Sequence, residues 1–272
     1  GLMEGLHEPL GSARIGMVGT GFIARGVLAE LAEDPSLRIA AVLTRRPPAG
    51  IGGMPPALLT RSVDALLERC EIVFEASGDP IHATHVVERA LAAGRRVVTM
   101  NAELHVTTGS WFVGRGYLTE VGGDQPGATA LLREEAAAMG FSPLAYVNVK
   151  GFLDPNPDRA AMAYWSARQG LSLAETISFT DGTKVHVEQA LCANAFGATL
   201  VRDGLTGRRV RALTDTDYLV DAARRLSRPV SDFVLAPDAP PGVFVLADHP
   251  VRARLPHYGP YEKLLTRRRS AY

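Results

Sequence analysis

Between Arg14 and Asn101 the chain alternates apolar runs of strand length with segments that have helical periodicity. The runs that predict buried strands are RIGMVG at 14–19, LRIAAVLT at 37–44, EIVFEAS at 71–77 and RRVVTMN at 95–101. Apolar runs of this kind suit parallel strands, which are covered on both faces. Since a helix-length crossover returns the chain to the same sheet edge, the alternation predicts a doubly wound parallel sheet of the α/β class.

The turn after the first strand carries a glycine motif. Residues 19–24 read GTGFIA, a G-x-G-x-x-A pattern between a strand and a helix. In a dinucleotide-binding turn the first glycine permits the tight bend, the second lets the backbone approach the pyrophosphate, and the third small residue lets the helix pack on the strand. The motif predicts a Rossmann fold that binds a dinucleotide through Gly19, Thr20, Gly21, Phe22 and Ile23. An ordinary glycine-rich turn is the alternative.

The end of the second strand bears on which dinucleotide is bound. Chains that bind NAD commonly place Asp or Glu there, to hold the ribose hydroxyls. Here the strand ends in Thr44, Arg45 and Arg46, with no acidic residue nearby. Because a guanidinium binds phosphate bidentately and a carboxylate would repel it, these residues favour NADPH. A solvated loop before Pro47-Pro48 is the alternative.

The residues after the third and fourth strands are candidates for contact with the nicotinamide end of the cofactor. Ser77 and Gly78 follow the third strand, and Asn101 and Glu103 follow the fourth. Ligands of doubly wound sheets bind at the carboxyl ends of the strands, so we expect these four residues to contact the cofactor.

Two histidines follow on the next helix. His82 and His85 share a face of that helix, but no third ligand is visible in the sequence, so packing is favoured over a metal site.

The alternation of strand and helix patterns ends near Gly109, and we place a domain boundary at 120. Residues 1–120 would form the cofactor domain and 121–272 a second α/β domain. In that second part we expect a helix from Pro126 to Met139, a strand at 142–150 and a helix-rich stretch from Asp158 to Leu226, broken near Gly170 and Gly182. The last forty residues show many prolines and one apolar run, GVFVLA at 242–247.

Composition excludes several classes of function. The chain has 272 residues with 29 basic against 29 acidic ones, so it lacks the cationic surplus that nucleic-acid binding requires. Its two cysteines, Cys70 and Cys192, make neither a disulfide framework nor a thiolate metal site. No apolar run reaches the length of a membrane span, and no signal peptide is recognisable, so a cytoplasmic location is expected.

A second group of charged residues predicts the chemistry. If a helix begins near Thr183, Lys184 and Glu188 are i, i+4 neighbours, and Asp181 lies just before the helix on the same side. A lysine between carboxylates suits carbonyl reduction, because it can donate to the developing alkoxide while Asp181 or Glu188 tunes it or holds a divalent metal. An exposed helix salt bridge is the alternative.

A second lysine, Lys150, ends a predicted strand just before Gly151. A lysine at a strand end beside a glycine turn suits phosphate or carboxylate binding, and a solvated strand end is equally compatible with the pattern.

Several of these segments together resemble a known family. GTGFIA, EASGDP, VVTMNAE, GDQPGA at 123–128 and SFTDGTK at 178–184 resemble the homoserine-dehydrogenase-like oxidoreductases, nearest the deoxyxylulose-phosphate-reductoisomerase-like branch, whose members often carry a carboxyl-terminal SAF domain. The resemblance implies an amino-terminal Rossmann domain, a substrate-binding and dimerisation domain, NADPH, and Mg or Mn in the reductoisomerase-like members. It implies site roles for Asp181 and Lys184, and substrate binding by Asp124 and Gln125.

The function expected from the sequence is reduction of a carbonyl group by NADPH. The substrate would be a small polar molecule, with phosphorylated ones included, and the chain would form a homodimer or a higher homo-oligomer. Rearrangement and reduction of 1-deoxyxylulose 5-phosphate is the alternative within the same class. An NADP-binding sensor or scaffold subunit without catalysis is the alternative of another class.

Overall fold

The computed structural model describes residues 12–122, 125–250 and 262–265. Contacts divide the chain into two compact units. The first ends at Glu120 and also takes in Arg168–Leu171, and the second contains Val121–Ala167 and the chain from Ser172 onward. Each unit is built on its own six-stranded sheet.

The first sheet is wholly parallel, with the strand order β3-β2-β1-β4-β5-β6. The order reverses between β1 and β4, which makes this the doubly wound arrangement of dinucleotide-binding folds, as predicted. Its strands are β1 (Ala13–Val18), β2 (Leu37–Leu43), β3 (Leu59–Thr60), β4 (Ile72–Glu75), β5 (Arg96–Thr99) and β6 (Leu118–Glu120).

Both faces of this sheet are covered by apolar clusters. Met17 packs on one face with Ala24 and Val42, and Val18 packs on the other with Leu66. Adjacent residues of a strand point to opposite faces, so a continuous apolar run in β1 is what two covered faces require.

Four helices connect the strands of the first unit. Ser62 caps α2 by accepting a hydrogen bond from the Ala65 amide, and Asp79 caps α3 just before Pro80. The helices are α1 (Phe22–Leu31), α2 (Val63–Arg69), α3 (Pro80–Ala92) and α4 (Ala102–Thr107). The short helix α4, capped by Asn101, is not anticipated from the sequence.

The second sheet is mixed, in the order β12-β11-β7-β10-β8, with β9 also pairing with β10. At its centre β7 runs parallel to β10 and antiparallel to β11. Its strands are β7 (Ser142–Lys150), β8 (Thr199–Leu200), β9 (Arg208–Arg209), β10 (Val230–Leu235), β11 (Gly242–Asp248) and β12 (Glu262–Leu265). The predicted strand at 142–150 is confirmed as β7, and the apolar run at 242–247 lies in β11.

The sequence predicts no strand at 230–235, yet β10 is a central strand of the second sheet. Ser231 and Asp232 interrupt its apolar pattern, yet both are fully buried. Ser231 exchanges hydrogen bonds with Gln189, and Asp232 accepts hydrogen bonds from Thr206. Buried polar groups with partners can occupy a core strand, but the partners are invisible in the local sequence.

Five α-helices lie in the described residues from 125 onward. The predicted breaks are confirmed, since Gly170 and Gly182 have φ values of 70° and 91° and separate three of these helices. The left-handed backbone at both positions is one that glycine adopts without strain. The helices are α5 (Gln125–Ala138), α6 (Arg159–Gln169), α7 (Leu173–Thr180), α8 (Thr183–Phe196) and α9 (Asp217–Leu226). In the described ranges, no helix is long and apolar enough to cross a membrane.

Candidate active site

The glycine motif forms the turn between β1 and α1. Gly19 has a φ of 111°, and a Cβ there would lie 2.8 Å from the carbonyl oxygen of Ala76. Gly21 is the N-cap of α1, and a Cβ on it would meet nothing within 4 Å. Ala24, in the first turn of α1, is fully buried. The turn thus combines a tight bend, open space over the helix amides and close helix packing, which fits a dinucleotide pyrophosphate.

Arg46, which follows β2, contacts this turn. Its guanidinium donates a 2.6 Å hydrogen bond to the hydroxyl of Thr20, which is buried. Thr44, also buried, accepts a hydrogen bond from the Arg46 amide and so fixes the backbone after β2. The structure therefore brings Thr20, Thr44 and Arg46 together.

Arg45 has a different partner. Its guanidinium lies 2.7 Å from a carboxylate oxygen of Asp79, the residue that caps α3. A hydrogen bond from the His82 amide, with the Arg45 interaction in addition, lowers the pKa of the Asp79 carboxyl. Burial is the main reason that the pKa of His82 is lowered, and neighbouring Arg45 adds to it. Of the two arginines, Arg45 faces a carboxylate and Arg46 a neutral hydroxyl.

The turn after β4 depends on a residue that the sequence analysis does not single out. Glu75, the last residue of β4, is fully buried. Its carboxyl accepts hydrogen bonds from the amide and the hydroxyl of Ser77, at 2.8 and 2.5 Å, and from the Thr99 hydroxyl at 2.9 Å. Burial raises its pKa, and these hydrogen bonds oppose the rise. A charged residue inside an apolar strand was the available signal.

The other predicted cofactor residues lie around the same strand ends. Gly78 follows Ser77 with a φ of 68°. Asn101 is buried, and its side chain caps α4, while Glu103 lies in the first turn of that helix. Phe22 and Ile23 begin α1, and the Phe22 side chain is 47% exposed. Their contact with a cofactor stays a prediction.

In the second unit, Lys150 and Glu188 come together. Lys150 ends β7, and its Nζ lies 3.5 Å from Oε2 of Glu188, which projects from α8. The same oxygen accepts a 2.8 Å hydrogen bond from the side chain of Asn148. Glu188 is fully buried, while 17% of the Lys150 side chain is exposed. The ion pair therefore joins a buried carboxylate to a partly exposed ammonium.

Neighbouring polar contacts fix α8 on the sheet. Gln189 donates hydrogen bonds to the carbonyl oxygens of Tyr146 and Asp232, in the strands β7 and β10. Its own carbonyl oxygen accepts one from the Ser231 hydroxyl. This rigid support holds Glu188, one residue earlier, at the end of β7.

Asp181 and Lys184 lie at the start of α8. Asp181 ends α7 and accepts a hydrogen bond from the Thr183 amide, so it shapes the turn through Gly182. The Lys184 ammonium lies 4.6 Å from the centre of the Phe179 ring, within cation–π range. The helix begins at Thr183, as predicted.

Gln125 begins α5, and its carbonyl oxygen accepts a hydrogen bond from Thr129. The predicted substrate residue Asp124 lies outside the described residues. No group of three His, Cys, Asp or Glu side chains that could hold a metal occurs in the part of the chain that the structure describes. No metal ligands are therefore assigned, at His82 and His85 or elsewhere.

Two family descriptions match the chain. The description "Oxidoreductase DRL, catalytic domain" matches residues 123–265, more than half of the chain. The description "Homoserine dehydrogenase, NAD binding domain" matches residues 19–111, which contain the glycine motif and Arg46. These matches confirm the resemblance to homoserine-dehydrogenase-like oxidoreductases and indicate a nicotinamide cofactor.

The similarity to one solved structure supports the fold, and a second structure is similar over about half of the chain. A homoserine dehydrogenase from Thiobacillus denitrificans is 19% identical, with 87% of this chain and 61% of that chain covered and a TM-score of 0.53. UDP-N-acetylglucosamine 3-dehydrogenase from Acidithiobacillus ferrooxidans is 20% identical, with 52% and 48% covered and a TM-score of 0.38. The chain spans less than two thirds of the length of either protein. No curated protein matches it.

Proposed function

The chain belongs to the oxidoreductases that share the DRL catalytic domain, and from this premise we propose that it uses NADPH to reduce the carbonyl group of a small polar substrate. The observation that carries the choice of NADPH is the contact between Arg46 and Thr20, 2.6 Å long, on the glycine turn. A guanidinium at this place can pair bidentately with a 2′-phosphate.

The absence of an acidic residue among Thr44, Arg45 and Arg46 supports the same choice. The nearby carboxylate of Asp79 is engaged by Arg45. Arg46, whose described side-chain partner is a neutral hydroxyl, is the residue to which we assign the 2′-phosphate.

The second unit would provide the groups that act on the substrate. When bound, the nicotinamide would supply a hydride to the carbonyl carbon. Lys150, held by the buried carboxylate of Glu188, would donate a hydrogen bond to the substrate oxygen and stabilise the negative charge that develops there. Asn148 donates to the same carboxylate oxygen of Glu188 and so helps to hold that carboxylate in place. Lys184 and Asp181, at the start of α8, would bind polar groups of the substrate.

Reductoisomerase chemistry on 1-deoxyxylulose 5-phosphate is the second candidate, favoured by the GDQPGA and SFTDGTK segments. It predicts a requirement for Mg or Mn, and no step through such an ion is assigned to the described residues. Stimulation of NADPH oxidation by either ion with this substrate, and with no other ketose, would favour it.

Oxidation of NADPH in the presence of small aldehydes and ketoses tests the proposal. The wild-type chain is expected to oxidise NADPH with at least one compound of this class. Lys150→Met should lower that rate by about 100-fold or more, since it removes the donor to the developing alkoxide. Lys150→Arg keeps a cation there and should retain more of the rate. Equal rates for the wild type and Lys150→Met would exclude the assigned role.

A further inference from the structure

Glu75 has no role in the reaction proposed above, yet its place in the fold is costly. It is fully buried, and its neighbours along β4 are the apolar residues Val73 and Phe74. Burying a carboxyl group is unfavourable unless hydrogen bonds compensate. Here all its described partners lie at the carboxyl ends of β4 and β5, the edge where doubly wound sheets bind ligands.

The first set of contacts controls the turn between β4 and α3. Glu75 receives both the amide and the hydroxyl hydrogen of Ser77. The Ser77 oxygen in turn accepts a 3.4 Å hydrogen bond from the amide of Asp79, which caps α3 and pairs with Arg45. The carboxyl of Glu75 therefore fixes the path of the chain through Ser77 and Gly78.

The second set of contacts controls the turn between β5 and α4. The Thr99 hydroxyl donates to Glu75 at 2.9 Å, and its oxygen accepts a 3.0 Å hydrogen bond from the Asn101 amide. The Asn101 side chain accepts a 3.1 Å hydrogen bond from the Leu104 amide and so caps α4. One carboxyl group thus ties together the two adjacent turns in which Ser77, Gly78 and Asn101 are the predicted cofactor contacts.

We propose that Glu75 is a positioning residue for the nicotinamide cofactor, which holds the turns after β4 and β5 in one fixed relation through Ser77 and Thr99. The inference rests on the proposed function, because it requires that these turns contact the dinucleotide. Glu75 itself is buried, so it acts through the two turns and not by touching the cofactor.

Titration of four single variants and one double variant with NADPH, alongside urea unfolding, separates positioning from mere stability. Glu75→Ala removes both sets of contacts, and Thr99→Val removes only the second. Glu75→Gln keeps an acceptor for Ser77 and should rescue part of the loss. Val73→Ala is the matched control, because Val73 is fully buried in the same strand and its side chain packs in the apolar core.

The dissociation constant for NADPH is expected to rise about tenfold in Glu75→Ala and about threefold in Glu75→Gln and Thr99→Val. In the Glu75→Ala background, Thr99→Val should add little, since the two residues act through one network. Val73→Ala should lose stability but bind NADPH within about twofold of the wild type.

Three results would overturn the inference. The first is unchanged NADPH affinity in the Glu75 and Thr99 variants. The second is a loss of NADPH affinity in Val73→Ala as large as that in a Glu75 or Thr99 variant with the same free energy of unfolding. If Glu75→Ala does not fold, Glu75→Gln and Thr99→Val decide by the same criteria. The third, a wild-type chain that binds neither NADPH nor NADH, would contradict the proposed function itself and this inference with it.

Discussion

Glu188 and Glu75 are both fully buried carboxylic acids, but their surroundings differ. Glu188 lies 3.5 Å from the ammonium of Lys150, whereas Glu75 receives hydrogen bonds from neutral groups, among them those of Ser77 and Thr99. An adjacent cation offsets the cost of burying a negative charge, and neutral donors offset it less. We therefore assign Glu188 the role of positioning Lys150, and Glu75 the role of fixing the turns after β4 and β5.

The pH dependence of the free energy of unfolding should reveal the raised pKa of Glu75. Its pKa in the folded chain is raised above the ordinary value of 4.5, so the folded state binds the proton more tightly than the unfolded state does. The stability that this contributes is complete below the ordinary pKa and is lost as the pH rises through the folded pKa.

Urea unfolding of the wild type and Glu75→Gln, from about pH 4 to about pH 8, measures this contribution. The free energy of unfolding should decline with rising pH by more in the wild type than in Glu75→Gln, which cannot ionise. Parallel curves over the whole range would show that the pKa of Glu75 is not raised.

The sequence singles out Arg46, Lys150 and Glu188, and it places Glu188 one helical turn from Lys184 on α8. It does not predict that Glu188 also contacts Lys150 and Asn148 on β7. Such a pair depends on how α8 packs on β7, and helical periodicity carries no information about that packing.

Substitutions of the two glycines in the turn before α1 should have different effects, one on stability and the other on cofactor binding. Gly19→Ala should lower the free energy of unfolding by about 2 kcal/mol or more, because an alanine at a φ of 111° is strained and its Cβ would lie 2.8 Å from the Ala76 carbonyl oxygen. Gly21→Ala should fold normally, since its Cβ would meet nothing within 4 Å, but should bind NADPH more weakly.

Urea unfolding and NADPH titration of both variants check this pair. Each variant is the control for the other, since both add one methyl group to the same turn. Undiminished NADPH binding by Gly21→Ala would mean that the backbone at this position does not approach the cofactor.

Among the elements, the apolar pattern predicts β1, β2, β4 and β5 of the first sheet, each of which is built around an apolar run. Ser62 and Asp79 cap the helices α2 and α3. The same signals fail for β10, where Ser231 and Asp232 break the apolar run. They also miss α4, whose six residues are too few to show a helical period.

Over the whole molecule, the sequence predicts two α/β parts and the parallel order of the first sheet. The sequence does not predict the mixed pairing of the second sheet. There β7 pairs antiparallel with β11 and parallel with β10, which lies between these two strands along the chain. Long-range pairing of this kind leaves no local signature. The assignment of 1–120 to cofactor and 121–272 to substrate remains a proposal.

The state of association is a prediction for the whole chain. The family resemblance implies that the second domain mediates dimerisation, so the chain should sediment as a homodimer or a higher homo-oligomer at micromolar concentration. Sedimentation equilibrium measures this directly, and a monomer over the whole concentration range would contradict it.

Cofactor choice by the whole chain is the central claim, and the ratio of the dissociation constants for NADPH and NADH tests it most directly. The wild type should bind NADPH more tightly, and Arg46→Ala should weaken NADPH binding by about 10-fold to 100-fold while leaving NADH binding nearly unchanged. Arg38→Ala, an exposed arginine in the amino-terminal half of β2, is the matched control and should change neither constant. Equal weakening for both nucleotides in Arg46→Ala, or a wild type that prefers NADH, would contradict the assignment.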